Sequence, residues 1–266
     1  MSVVKGVKNL SVAKMKLVKK LAQKKYREEF GLFVAEGLRL CESALNCAEI
    51  EFGFYCENFL KSARAEELVT RLEKITRLEK ISDTDFAKIS DTETPQGILL
   101  AVRQKLSTPE QVAEKSLLVV LDGVKDPGNV GTILRTAEAF GCGMILLDGA
   151  ADIFNSKVVR ASMGAIFTVT AAKMSAENFL ALMKKFNFDV TAAVLDDSAE
   201  KYFCRDFTKK SAVVFGSEAE GVSAEIFNAA EKIFIPMCGA AESLNVATAA
   251  GIIISEAVRQ RLAGSL

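Results

Sequence analysis

The chain contains no histidine, and that absence narrows the chemistry before any motif is read. No Ser-His or Cys-His nucleophile pair can form, and zinc sites built on imidazole are excluded. Proton transfer is left to Glu, Asp, Lys, Arg, Tyr, Cys or to a substrate. Nor is there a run of the ~18 apolar residues that would span a bilayer. The N-terminus lacks a signal-peptide layout, because lysines break its first apolar residues every few positions. The cysteines (Cys41, Cys47, Cys56, Cys142, Cys204, Cys238) form no CxxC pair and show no metal-type spacing. They read as small buried hydrophobes in a reducing compartment. No metal site is expected, and the cytoplasm is the expected location.

What is present suits a globular protein. The 266 residues are 50% hydrophobic and 26% charged, enough for one large domain or two modest ones. Net charge is zero, which alone argues against a nucleic-acid partner, but the distribution argues for one. Residues 1–27 hold nine Lys or Arg, from Lys5 and Lys8 to Arg27, and no acid. Such asymmetry is an electrostatic footprint for phosphate backbones. Residues 10–29 read as a helix with Met15, Val18, Leu21 and Ala22 on one side. Lys16, Lys20 and Lys24 form an i, i+4 column elsewhere on it, either a solvated face or an RNA contact.

From Phe33 to Val102 short strands (32–35, 52–55, 98–102) alternate with helices (36–45, 60–72). Thr70–Ile75 (TRLEKI) is repeated at once as Thr76–Ile81. The copy is too short for a solenoid repeat and reads as a duplication lengthening a helix or loop. Residues 103–116, polar and containing Pro109, read as a linker between a domain 1–102 and a domain 117–266. The second domain has the rhythm of an α/β fold. Its strands, at 117–121, 144–147, 190–194, 212–215 and 232–235, are near-continuous apolar runs, as in a parallel sheet covered on both faces. Helices follow at 131–140, 176–186 and 244–262.

Three junctions carry chemistry. Asp122–Gly131 is a glycine-rich turn from strand into helix, of the kind that binds phosphate at a helix N-terminus. Asp148 even lies where a ribose-binding acid would sit in a dinucleotide fold. The GxGxxG spacing is absent, however, which excludes that reading. Instead Asn129 is followed six residues later by Arg135, placed either over the sheet edge or in a surface ion pair. The second junction, Phe215–Gly221, ends a buried strand in a glycine turn with two acids. There Gly216 would let a ligand approach the backbone, and the alternative is a turn with a capping acid. The third runs from Ile235-Pro236-Met237 through Ser243-Leu244-Asn245, where Ser243 and Asn245 are also natural N-caps.

In this order, NxGxxxR (Asn129 to Arg135), FGSExxG (Phe215 to Gly221) and IPM with SLNVA (Ile235 to Met237, Ser243 to Ala247) resemble the SpoU/TrmH family of RNA ribose 2′-O-methyltransferases. Gln23–Arg27, Phe33–Gly37 and Ser90–Gly97 resemble the N-terminal substrate-binding (L30e-like) module of its two-domain members. The resemblance implies a small α/β RNA-binding domain and a parallel-sheet domain of the SPOUT type, with a deep C-terminal trefoil knot. It further implies bent S-adenosylmethionine held by Gly216, Ile235 and Leu244, and a homodimer. Arg135, Asn129, Glu218, Ser243 and Asn245 are the implied catalytic group. Asn129 and Ser243 would position Arg135 and the ribose, Glu218 would anchor Arg135 or the substrate, and Asn245 would hold the loops. Two roles stay open for Arg135: general base, for which a guanidinium of pKa about 12.5 or more is poorly suited, or a fork orienting phosphate and 2′-oxygen. Lys16, Lys20, Lys24, Lys25 and Arg27 are the implied RNA contacts. The expected substrate is 23S ribosomal RNA, with transfer RNA second. A non-catalytic ribosome-assembly factor on the same fold is the rival reading.

Overall fold

The computed structural model describes residues 2–264, with side chains from Ser11 onward; the Lys5 and Lys8 side chains lie outside that range. The chain forms two compact units, Met1–Lys105 with Asp152–Phe167, and Leu106–Ala151 with Thr168–Leu266. The single boundary expected from composition is therefore replaced by a crossing and a return.

The first unit runs α1 (Ser2–Lys20), α2 (Lys24–Phe30), β1 (Leu32–Glu36), α3 (Leu38–Cys47), β2 (Ile50–Cys56), α4 (Ala63–Glu73), β3 (Leu78–Ile81), α5 (Asp83–Ile89) and β4 (Ile98–Arg103). Its sheet has the order β1-β4-β2-β3, with β4 antiparallel to both neighbours and β3 parallel to β2. Val18 of α1 and Phe86 and Ile89 of α5 pack with Phe52, Phe54 and Leu99 of the sheet. These alternate strand positions share one face, as the pleat requires.

The helix expected over residues 10–29 is two helices. The chain turns at Leu21–Gln23, and the carbonyls freed at the end of α1 are taken by Arg27, whose Nη1 donates to Leu21 O and Ala22 O at 2.8 Å each. The same guanidinium donates to Asp152 Oδ2 through Nε at 3.0 Å and Nη2 at 2.7 Å. Arg27 is only 3% exposed. It is a buried clamp, which corrects its expected role as an RNA contact. The break also divides the lysine column, since Lys24 sits on α2 and pairs with Glu28 at 3.7 Å. Lys16, Lys20 and Lys25 remain exposed.

The duplicated hexapeptide does not lengthen one element. Its first copy closes α4, with Leu72 fully buried. The second supplies β3, paired in register with β2 from Gly53↔Leu78 to Cys56↔Ile81. Identical residues thus take helix and strand, because local propensity is weak against a waiting sheet edge. Gly53 makes the pairing possible, since a Cβ there would lie 2.8 Å from Leu78 and 2.5 Å from Leu100.

The two glutamates of the repeat differ accordingly. Glu73 is exposed, whereas Glu79 ties α1 to β3 by accepting from Ser11 Oγ and from Lys14 Nζ at 3.0 Å, with Arg77 Nε at 2.9 Å. Burial alone would raise the Glu79 carboxyl. The bonds from Ser11 and Lys14 and the charges of Lys14 and Arg77 outweigh it and hold the group below the ordinary glutamate value. A carboxyl depressed in the folded state adds stability above its unfolded pKa of about 4.3 and loses it as pH falls through the folded value. Glu79→Gln is therefore expected to destabilise the protein by roughly 1–2 kcal/mol at pH 7. In denaturant melts, wild type and variant should converge as pH drops well below 4.3; a gap independent of pH would refute this account.

The second unit contains α6 (Pro109–Ala113), β5 (Leu117–Asp122), α7 (Pro127–Ala139) and β6 (Gly143–Leu147). The chain then leaves for the first unit, where it forms α8 (Ser156–Ala161) and sets Phe154 and Phe167 against Phe33, with ring centroids 5.0 and 6.0 Å away. It returns as β7 (Thr170–Met174), α9 (Ala176–Phe186), β8 (Asp189–Ala193), β9 (Glu200–Lys201), β10 (Ser211–Gly216), α10 (Ala224–Ala229), β11 (Glu231–Phe234) and α11 (Val246–Ala263). Seven strands form one wholly parallel sheet in the order β7-β6-β5-β10-β8-β11-β9. On one face Leu118, Val120 and Val214 pack with Phe179 of α9 and Ile226 of α10. The alternating Val119, Met144, Val213 and Phe215 are equally buried and face the side where α7 and α11 pack together.

Part of the stretch read as a linker is α6. Thr108 and Gln111 close a reciprocal capping box around Pro109, and Val112 and Ala113 enter the core. A Ser/Thr-x-x-Glu/Gln signature was therefore present under the polar composition. Of the cysteines, Cys41, Cys56 and Cys142 are buried and Cys47, Cys204 and Cys238 exposed, all as free thiols. No helix of the described residues is long and apolar enough to cross a membrane.

Candidate active site

Because the strands of the second unit are all parallel, their C-terminal ends lie along one edge of the sheet, where ligands of open α/β folds bind. Loops leaving β8, β10 and β11 enclose a cavity of about 530 Å³ there. That volume lies within the range of small-molecule sites. Its walls include Phe215, Ile235, Leu244 and Ile253, and its polar groups include Glu218, Asp196, Ser243 and Asn245.

The loop after β10 owes its shape to Gly216. A Cβ there would lie 2.1 Å from the Gly221 carbonyl carbon and 2.3 Å from its oxygen. No side chain fits, because the obstruction is backbone. Gly221, at φ +70°, turns the chain so that Ser217 and Gly221 exchange N–H···O bonds of 3.0 Å each. Glu218 is thereby held at the tip of a closed turn. The glycine expected to admit a ligand first of all admits its own loop, and also lines the cavity. Beneath it Asp122, the last residue of β5 and only 7% exposed, accepts from Ser223 N at 2.7 Å and pins the far end of the loop. Sequence reading passed over Asp122, although a lone carboxylate closing an apolar strand was the available signal.

Asn129 joins the three junctions. It lies in the first turn of α7, whose N-cap Asp126 accepts from Asn129 N at 2.8 Å. Its Nδ2 donates to Glu218 Oε1 at 2.6 Å, and its Oδ1 accepts from Asn245 Nδ2 at 2.9 Å. Asn245 Oδ1 in turn accepts from Ala247 N at 2.9 Å and Thr248 N at 3.3 Å, as the N-cap of α11. Each amide orientation is set by the next partner, so the chain Glu218–Asn129–Asn245–α11 has one consistent donor order. Ser243 lines the cavity but caps nothing.

Three carboxylates line the cavity, those of Asp196, Glu218 and Glu220. Asp196 Oδ1 accepts from the Ser198 hydroxyl at 2.6 Å and its amide at 2.9 Å, and these bonds hold its carboxyl below the ordinary aspartate value. Glu218 keeps Oε2 unbonded. Such a rim favours a ligand carrying positive charge. Gly216, Ile235 and Leu244, the residues implied to hold S-adenosylmethionine, all line this cavity. Its size, apolar walls and acidic rim fit that group.

Arg135 stands apart. It is exposed on α7 in a stripe with Thr132 and Glu138, makes no hydrogen bond or ion pair with the described residues, and does not line the cavity. Neither Asn129 nor Glu218 touches it; they bond to one another. The surface ion pair that was its alternative reading is likewise absent among the described residues.

Known proteins share this construction. Residues 116–255 match the SpoU rRNA Methylase family, and residues 13–100 match an MRM3-like substrate binding domain. The 23S rRNA (guanosine(2553)-2′-O)-methyltransferase RlmP of Bacillus subtilis is 31% identical over 252 residues, spanning 94% of this chain and 98% of that one. An AdoMet-bound rRNA methyltransferase from Sinorhizobium meliloti superimposes with a TM-score of 0.83 at 31% identity, covering 92% of this chain and 94% of that one. The AviRb methyltransferase of Streptomyces viridochromogenes in complex with AdoMet gives 0.84 at 26% identity, covering 95% and 100%. With its three motif junctions gathered at one sheet edge, the chain belongs to the SpoU rRNA methylase family.

Proposed function

We propose that the protein transfers a methyl group from S-adenosylmethionine to a ribose 2′-hydroxyl of 23S ribosomal RNA, acting as a homodimer in the cytoplasm. The observation that carries this reading is the cavity at the sheet edge, with Gly216, Ile235 and Leu244 in its wall and Asn129 bonded to both Glu218 and Asn245. The Bacillus subtilis and Sinorhizobium meliloti relatives, each matched over nearly the whole chain, carry rRNA activities in their names.

S-adenosylmethionine supplies a methyl group on a positively charged sulfonium, an excellent leaving group. The protein's tasks are then alignment and handling of the hydroxyl proton. Gly216, Ile235 and Leu244 would hold the cofactor, and Glu218 and Asp196 favour its charge. Asn129 and Asn245 keep Glu218 in place, leaving Oε2 for the ribose or for a group beside it. Ser243 lies at the same wall. Arg135, exposed and with no bonded partner among the described residues, suits a fork on RNA phosphate that brings the 2′-oxygen into line. The C-terminal segment from β11 to α11 supplies the third wall, in keeping with a knotted SPOUT chain. The exposed Phe140 and Leu262, at the ends of the packed helices α7 and α11, suit a partner surface.

The first unit would dock the RNA through Lys16, Lys20, Lys24 and Lys25, giving affinity without sequence reading. The deciding experiment is methyl transfer from labelled S-adenosylmethionine to total RNA from cells lacking the gene, with product nucleosides resolved. A labelled 2′-O-methylnucleoside in 23S RNA is expected. Label confined to transfer RNA would overturn the substrate, and no label from folded, cofactor-binding protein would overturn catalysis.

A further inference from the structure

The first unit contains a cavity of its own, of about 120 Å³. It is too small for a cofactor of the size that the sheet-edge cavity accepts and has room for about one ring-sized group. Its floor is apolar: Val18 and Leu21 of the α1 end, Val34 of β1, Ile89 of α5 and Phe154 of the returning segment. Three cations stand among its lining groups, Lys19, Arg160 and Lys88, the last also paired with Asp85 at 2.8 Å on the exposed side of α5. Its principal acid outside the floor is Asp91, which accepts from Ser156 Oγ at 2.5 Å and faces Arg160 Nη1 at 3.5 Å, both on Oδ2. Asp91 Oδ1 stays unbonded, an open acceptor.

The wall carrying Asp91 is fixed from below. Glu36, 9% exposed, accepts from Ser90 Oγ at 2.5 Å, Thr92 Oγ1 at 2.8 Å and Asp91 N at 3.2 Å. The 90–92 loop is therefore formed before any ligand arrives, which lowers the ordering cost of binding. Along the chain from Lys19, the Lys20 and Lys25 ammonium groups lie 5.2 and 5.8 Å from the Tyr26 ring centroid. Cations and an aromatic ring thus continue beyond the pocket along a segment without acids.

We infer that this pocket takes a single unpaired nucleotide of the RNA substrate, base against the apolar floor and flanking phosphates on Lys19, Lys88 and Arg160. The apolar floor, the cations beside it and the volume of about 120 Å³ commit the site to this occupant. A base inside a duplex cannot be offered to it, whereas a base splayed from a loop can. Asp91 Oδ1 is placed to accept from a base N–H. The inference rests on the reading of the protein as an RNA methyltransferase, and it makes the first unit a reader of RNA shape rather than only an electrostatic tether.

Ala22, exposed and lining the pocket, allows it to be filled without touching a charge. With the full-length protein, Ala22→Trp should weaken binding of a short labelled single-stranded RNA of mixed sequence by roughly tenfold or more. The affinity for its blunt duplex should be unchanged, because a paired base never enters the pocket. Arg160→Gln, at a side chain 33% exposed, should reduce the salt slope for the single strand by about one while leaving the melting temperature near that of the wild type. Unchanged single-strand affinity in Ala22→Trp together with an unchanged slope in Arg160→Gln overturns the pocket. Methyl transfer by the wild type, run alongside, separates the two ideas. Active enzyme with indifferent pocket variants refutes the pocket alone. A wild type that binds single strands through the pocket yet methylates no RNA refutes the methyltransferase reading alone.

Discussion

Gly216→Ala is expected to abolish S-adenosylmethionine binding and methyl transfer together. The added Cβ would fall 2.1 Å from the Gly221 carbonyl carbon and 2.3 Å from Val222 N. These are main-chain atoms held in place by the Ser217–Gly221 bridge and by Asp122 at Ser223. Neither β10, central in the sheet, nor the turn can yield without breaking one of these ties. The turn is the weaker side, and moving it carries Glu218 away from Asn129 and collapses the wall of the cavity. Overpacking of this kind costs roughly 1–3 kcal/mol or more, and the whole cost falls on the loop that forms the site. Affinity for S-adenosylmethionine should fall by at least about a hundredfold, or 2.7 kcal/mol. Gly239→Ala is the control, since a Cβ there meets nothing within 4 Å. Equilibrium dialysis with labelled cofactor checks both, and Gly216→Ala binding within a few-fold of wild type would sink the argument.

The complementary result is expected at Arg135. Arg135→Ala removes a side chain that bonds to none of the described residues and stays outside the cavity wall, so cofactor affinity and melting temperature should not move. If Arg135 orients RNA phosphate and the 2′-oxygen, single-turnover methyl transfer should fall by roughly a hundred- to a thousandfold, as for loss of one well-placed donor in a transition state. Arg135→Lys should recover little, because an ammonium carries the charge but not the planar fork. Together the two variants split binding from chemistry. Retained turnover in Arg135→Ala would strip Arg135 of any essential role.

Much of the second unit was legible because burial on both faces writes itself as apolar runs. β5, β6, β8, β10 and β11 all stand within a residue or two of those runs. β7 escaped notice. Thr170–Met174 (TAAKM) is an edge strand with one β-branched residue, and its conformation comes from pairing with β6 rather than from propensity. The site followed the same division. The glycine turn and the asparagines were visible as motifs, but their mutual bonding was not, since Asn129 and Asn245 are 116 residues apart. Arg27 shows the limit most plainly. Within a run of lysines it reads as one more surface cation, and only the turn at Leu21–Gln23 and the distant Asp152 make it a buried clamp.

The return of Asp152–Phe167 to the first unit also bears on the order of events during synthesis. When Lys105 has left the ribosome, the first unit still lacks the carboxylate that neutralises Arg27 and the rings that cover Phe33. Completion waits for roughly sixty more residues, several seconds at about 5–20 residues per second. During that interval β5, α7 and β6 of the second unit are already emerging. Maturation of the first unit is thereby tied to elongation through the second, and a chain truncated before Phe167 would keep its basic segment without a finished scaffold to present it.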